Sequence, residues 1–119
     1  MTNIGPQKML LVFMDETDTW KEEKLYQAIV RRLEKYGIAG ATVIPGVVGY
    51  GRHRRIHSPG LFGVTSEKPI TVIVIDEEAK IRAVLPKIVP MVKEGVVALV
   101  DAEVVSSGEA YSPPPESRS

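Results

Sequence analysis

The sequence predicts an α+β fold in which two helices lie on one face of a four-stranded antiparallel sheet. Three observations carry that prediction. Short runs rich in Val and Ile recur along the chain, two segments with apolar residues at helical spacing separate them, and the order is strand, helix, strand, strand, helix, strand. That order is the βαββαβ, ferredoxin-like arrangement.

Residues 7–14 form a nearly continuous apolar run, the pattern of a strand buried on both faces. Asp15, Glu16 and Asp18 follow in a polar, turn-like stretch, ending the strand and favouring the N-terminus of the next helix. Thr19 and Glu22 fit a capping box, so a helix is expected over residues 20–36. Its stripe is Leu25, Ile29, Leu33 and Tyr36, with Ala28 beside them, and Gly37 is placed to end it. Residues 41–48 read as a second strand, interrupted by Pro45 and Gly46. Residues 50–66 show no clean period and are punctuated by Pro59, Gly60 and Gly63. An aperiodic stretch that long in a compact domain is usually functional.

Residues 69–75 are a strong third strand. Asp76, Glu77 and Glu78 suit the start of a second helix, with Ile81, Val84, Leu85, Ile88 and Met91 as its stripe. Pro86 and Pro90 inside that pattern predict a kink or a break. After Gly95 a fourth strand covers residues 96–105. The expected organisation is a flexible N-terminus (1–6), one domain (7–105) and a disordered Ser-, Pro- and Glu-rich tail (106–119).

Two helices cover only one face of such a sheet, so the other should turn polar in a monomer. Instead Ile70, Val72 and Val74 oppose Thr71, Ile73 and Ile75, and Val96, Ala98 and Val100 oppose Val97 and Leu99. Both faces are apolar, which predicts an oligomer built through the sheet.

Composition excludes several functions. The chain of 119 residues contains no cysteine, which removes disulfides, thiolate catalysis and cysteine-ligated metals. Fifteen basic and fifteen acidic residues cancel, so any electrostatic partner must be recruited locally and nucleic acid is not expected. No apolar run approaches the roughly 20 residues that span a bilayer, and a cytoplasmic protein is expected.

The local exception is Gly49-Tyr50-Gly51-Arg52-His53-Arg54-Arg55-Ile56-His57, within a stretch from residue 35 to 66 that holds no Asp or Glu. Glycines admit a ligand close to the backbone, and arginine forks match phosphate or carboxylate. Gly49, Gly51, Arg52, His53, Arg54, Arg55 and His57 are therefore the candidate anion site, and a solvated basic loop is the alternative. Lys93, before Gly95, either adds a phosphate contact or completes a helix C-terminus. The two histidines lack a third ligand nearby, so neither a metal nor a cofactor is expected. No nucleophile–base pair stands out, although Ser58 or Ser66 with His57 is a conceivable one; the expectation is a binding protein and not an enzyme.

Residues 25–30 (Leu-Tyr-Gln-Ala-Ile-Val), 37–43 (Gly-Ile-Ala-Gly-Ala-Thr-Val), 46–51 (Gly-Val-Val-Gly-Tyr-Gly), 55–58 (Arg-Ile-His-Ser) and 66–70 (Ser-Glu-Lys-Pro-Ile), with the Leu85-Pro86 helix, resemble an uncharacterised PII-like family, the domain of unknown function 190. The resemblance spans residues 8–105. It implies a homotrimer with sheets turned toward the axis. It also implies a signalling role: an adenine nucleotide such as ATP, ADP or AMP binds at subunit clefts and reshapes the 50–66 loop, which engages a transporter or enzyme. Residues 49–53 resemble the Gly-Phe-Gly-Arg-Gln turn of PII proteins, which places Gly51, Arg52 and His53 against the nucleotide. The chain departs from PII where the connection before the fourth strand is only Lys93-Glu94-Gly95, and where Asp101 and Glu103 replace basic residues. Other nucleotides and small organic anions therefore stay open as ligands. So do a ligand-independent adaptor and an enzyme acting on a phosphorylated substrate.

Overall fold

The computed structural model describes residues 4–46 and 68–108. Within them the chain runs β1 (Gly5–Asp15), a small hairpin of β2 (Thr19–Trp20) and β3 (Glu23–Lys24), α1 (Leu25–Lys35), β4 (Thr42–Pro45), β5 (Pro69–Asp76), α2 (Glu78–Ile88), a 3-10 turn (Val89–Met91) and β6 (Val96–Val104). The main sheet has the order β4-β5-β1-β6, and every pairing in it is antiparallel. This is the ferredoxin-like α+β fold.

The core lies between the sheet and the two helices. Leu10, Val12 and Met14 of β1 and Ile70, Val72 and Val74 of β5 face Ala28, Ile29 and Leu33 of α1 and Ile81, Val84 and Ile88 of α2. The alternating residues of the strands face the other way, as their periodicity requires. Met9, Leu11 and Phe13 pair with Ile75, Ile73 and Thr71 on one side and with Val100, Ala98 and Val96 on the other. Nothing in the chain's described residues lies over much of this face: Phe13, Ile44, Val96 and Val100 are 43%, 45%, 48% and 42% exposed.

The expected helix start is corrected. Thr19 and Glu22 form no capping box, and α1 begins at Leu25 behind Lys24, which makes no side-chain cap. Residues 19–24 are instead a two-residue-turn hairpin with Lys21 and Glu22 both at positive φ (50° and 72°). Tertiary contacts outweigh the local signal. Trp20 packs against the core, Arg31 grips Glu23 at 2.6 and 2.5 Å, Lys24 pairs with Glu16 at 3.1 Å, and the Leu25 amide donates to the Asp18 carbonyl. Tyr36 is corrected too: it is 43% exposed at the C-cap. Gly37 turns the chain at φ 86°, and the Ile38 and Gly37 amides close on the Leu33 and Glu34 carbonyls, so the buried residue is Ile38. The proline expectation holds: Pro86 lies inside α2, which stops at Ile88, and Pro90 sits in the 3-10 turn.

Candidate functional site: the loop-bearing end of the sheet

Antiparallel pairing brings four strand termini to one end of the sheet. Asp15, at the end of β1, lies opposite Pro69, at the start of β5; Pro45 pairs with Ile70, and Phe13 with Val96. Gly46 and Lys68, the residues flanking the undescribed stretch 47–67, are tied together here. The Gly46 amide donates to the Pro69 carbonyl at 2.8 Å, the Glu16 amide to the Lys68 carbonyl at 2.7 Å, and the Lys68 amide to Asp15 Oδ2 at 3.1 Å.

Asp15 organises this end. Its Oδ1 accepts the Thr17 amide at 2.8 Å and the Thr17 hydroxyl at 2.7 Å, while its own amide donates to Asp18 Oδ2 at 3.0 Å. The acidic trio therefore builds a turn and holds a loop stub. Among the described residues no group of three or more His, Cys, Asp or Glu is placed to hold a metal ion.

Next to the turn is a cleft of about 650 Å³, a size suited to a small organic ligand. Thr17, Asp18, Trp20 and Lys21 form one wall, and Met91, Lys93 and Glu94 form the other. Lys93 is exposed at its edge. Gly95 stands behind it, where β6 starts. A Cβ added there would come within 2.1 Å of the Phe13 carbonyl oxygen, so only glycine lets the short Lys93–Gly95 connection pass this close to β1.

Of the residues singled out in the sequence, the structure brings Lys93 to the cleft, while Gly95 does not line it and packs against the Phe13 backbone. Gly49, Gly51, Arg52, His53, Arg54, Arg55 and His57 lie outside the described residues, as do Tyr50 and residues 109–119 of the tail. The sequence reading missed the hairpin wall. Its one available signal was the β-forming Thr19-Trp20 pair, masked by the capping-box pattern.

Comparison with known proteins settles the family. The model of the family described as "Uncharacterized ACR, COG1993", domain of unknown function 190, matches residues 7–104. The chain belongs to this family. An uncharacterised UPF0166 protein of Aquifex aeolicus is 33% identical over 99 residues, covering 83% of this chain and 93% of that protein. A UPF0166 protein of Methanocaldococcus jannaschii is 33% identical over 105 residues, covering 87% and 95%. Among solved structures, CPII of Thiomonas intermedia K12, a nitrogen regulatory PII-like protein bound to ADP, AMP and bicarbonate, superposes with a TM-score of 0.62 at 20% identity, covering 87% of this chain and 92% of that one. The likeness to CPII is one of fold. Among the described residues, no helix is long and apolar enough to cross a membrane.

Proposed function

We propose that this protein is a non-enzymatic, PII-like regulator that binds a small anion, an adenine nucleotide first among the candidates, at the loop-bearing end of its sheet. The observation that carries the reading is the convergence at that end. Lys68 is bonded to the Asp15–Glu16 turn, Gly46 is bonded to the neighbouring Pro69 that pairs with Asp15, and the same turn leads into the cleft that Lys93 borders. A ligand held there reaches the arginine-bearing segment from its base. The nucleotides bound by CPII, whose fold this chain shares, support the choice of probes.

In this reading Gly49, Gly51, Arg52 and His53 present backbone and side-chain donors to the ligand, Arg54, Arg55 and His57 assist, and Lys93 adds a phosphate contact. The bare sheet face packs against further copies of the chain, and a closed trimer places each cleft at a subunit boundary. Ligand binding shifts the population of 50–66 loop states that a partner, a transporter or an enzyme, recognises. The shift equals the ligand's differential affinity for those states.

Calorimetric titration of ATP, ADP, AMP and cyclic AMP into the wild type and an Arg52→Ala variant tests this. Saturable binding is expected for at least one nucleotide, lost in the variant at unchanged oligomeric state, and Lys93→Ala should weaken it about tenfold. No binding by any of the four removes adenine nucleotides and leaves other anions or a ligand-independent adaptor.

A further inference from the structure

A second charged feature lies on the helix layer, across the Trp20–Lys21 corner from the cleft. A groove of about 410 Å³ runs beside α1. Trp20 walls one side above the buried Ala28 and Met91, the Glu23–Arg31 pair lines it too, and Lys21, Arg32 and Lys35 stand around it. Lys87 extends the basic rim. Arg32 Nη1 donates to the Lys87 carbonyl at 3.1 Å, and the Lys35 and Lys87 ammonium groups lie 5.7 and 5.6 Å from the centroid of the exposed Tyr36 ring. Lys21 stands 5.4 Å from the Trp20 ring.

The charges do not balance. Arg31 and Glu23 satisfy each other, but Lys21, Arg32, Lys35 and Lys87 form no ion pair among the described residues. Helix dipoles favour cations in the last turns of α1 and α2, which accounts for Arg32, Lys35 and Lys87 taken singly. They account neither for Lys21 nor for the gathering of four cations around two aromatic rings in a chain of zero net charge.

We propose that this groove docks an acidic segment of a partner protein. Two or more carboxylates of that segment engage Arg32, Lys35, Lys87 and Lys21, and an apolar side chain between them rests against Trp20. With Nη1 held by a backbone carbonyl, the remaining guanidinium N–H groups of Arg32 are pre-aimed, the condition for a forked bond to a carboxylate. Arginine and large aromatic residues are the types that anchor protein interfaces. A nucleic acid is a poorer match, because the basic track is short and the chain carries no net positive charge. The groove is on the helix side, so an oligomer built through the bare sheet face leaves it accessible.

Random 12-residue peptides displayed on phage and selected on the full-length protein test the proposal. Enriched peptides are then synthesised, labelled and titrated against the wild type, a Lys35→Glu/Lys87→Glu variant and a milder Lys35→Gln/Lys87→Gln variant. Enrichment of closely spaced acids around an aliphatic or aromatic residue is expected. Affinity should fall at least tenfold in the charge-reversed variant, less in the neutralised one, and with added salt. Oligomeric state and any ATP response should stay unchanged, which separates this result from the nucleotide reading. Enrichment without acidic bias, or acidic peptides that bind wild type and charge-reversed protein equally, overturns the proposal. Tighter binding of a 20-nucleotide oligo-dT than of any peptide overturns it in favour of nucleic acid. A parallel loss of ATP response overturns it by merging the groove with the cleft.

Discussion

The two ends of the sheet each rest on one aspartate, and the two aspartates do different work. At one end Asp76 is 1% exposed. Its carboxylate accepts the Ala39 amide at 2.9 Å and the Glu77 amide at 2.7 Å, joining the exit of α1 to the entry of α2. At the other end Asp15 is half-buried and collects the Thr17 and Lys68 amides, holding a turn and a loop stub beside an open cleft. The bonding chemistry is the same, but burial differs. A sealed carboxylate that accepts two amides across two helix ends sets stability. A wetter one sets position, because water can replace it in energy but not in geometry.

That contrast predicts separable consequences. Gly95→Ala strikes the open end where no water can help, since the new Cβ meets backbone. A loss of about 3 kcal/mol in a denaturant titration is expected, the upper range for overpacking, and a loss under 1 kcal/mol would mean that β6 shifts freely. Asp76→Ala should cost about 2–3 kcal/mol by removing a charged acceptor from two backbone amides, with little change in hydrogen exchange at Gly46 and Lys68. Asp15→Ala reverses the pattern: about 1 kcal/mol of stability, but faster exchange at Thr17 and Lys68 and a weaker ligand response. If the two aspartate variants give the same profile, the assignment of one end to stability and the other to position fails.

The smallest effect is in acid. The Arg31 fork holds Glu23 below the usual carboxylate range, the Arg82 bond does so for Glu78, and the Lys8 ammonium does so for Asp101. A depressed folded pKa contributes stability that is present above the unfolded value and is lost as pH falls through the folded one. All three groups are solvent-exposed, so Asp101→Asn should flatten the acid limb of a stability–pH curve only slightly, and less so in high salt.

Much of this architecture was legible from residue patterns. Alternation in residues 70–75 and 96–100 gave both sheet faces, the Leu25–Leu33 stripe gave the helix that covers one of them, and Pro86 and Pro90 gave its partner's early end. What pattern could not give depends on contacts between distant segments. The Thr19–Lys24 hairpin places two non-glycine residues at positive φ, which no propensity favours, and Trp20 packing and the Arg31–Glu23 pair hold it. Gly95 reads as an ordinary pre-strand glycine until the Phe13 carbonyl is beside it. The short connection that carries Lys93 was readable, but the facing wall of its cleft was not, because that wall is the unforeseen hairpin.

The bond from the Gly46 amide to the Pro69 carbonyl has a further consequence, for how this chain can diversify. Because the sheet itself fixes both attachment points, the closure entropy between them grows slowly with length, and a doubling costs only about 0.6 kcal/mol. The two attachment points are thus set by the sheet's own register, which leaves the sequence between them as the part of the chain where a new binding specificity can be tried.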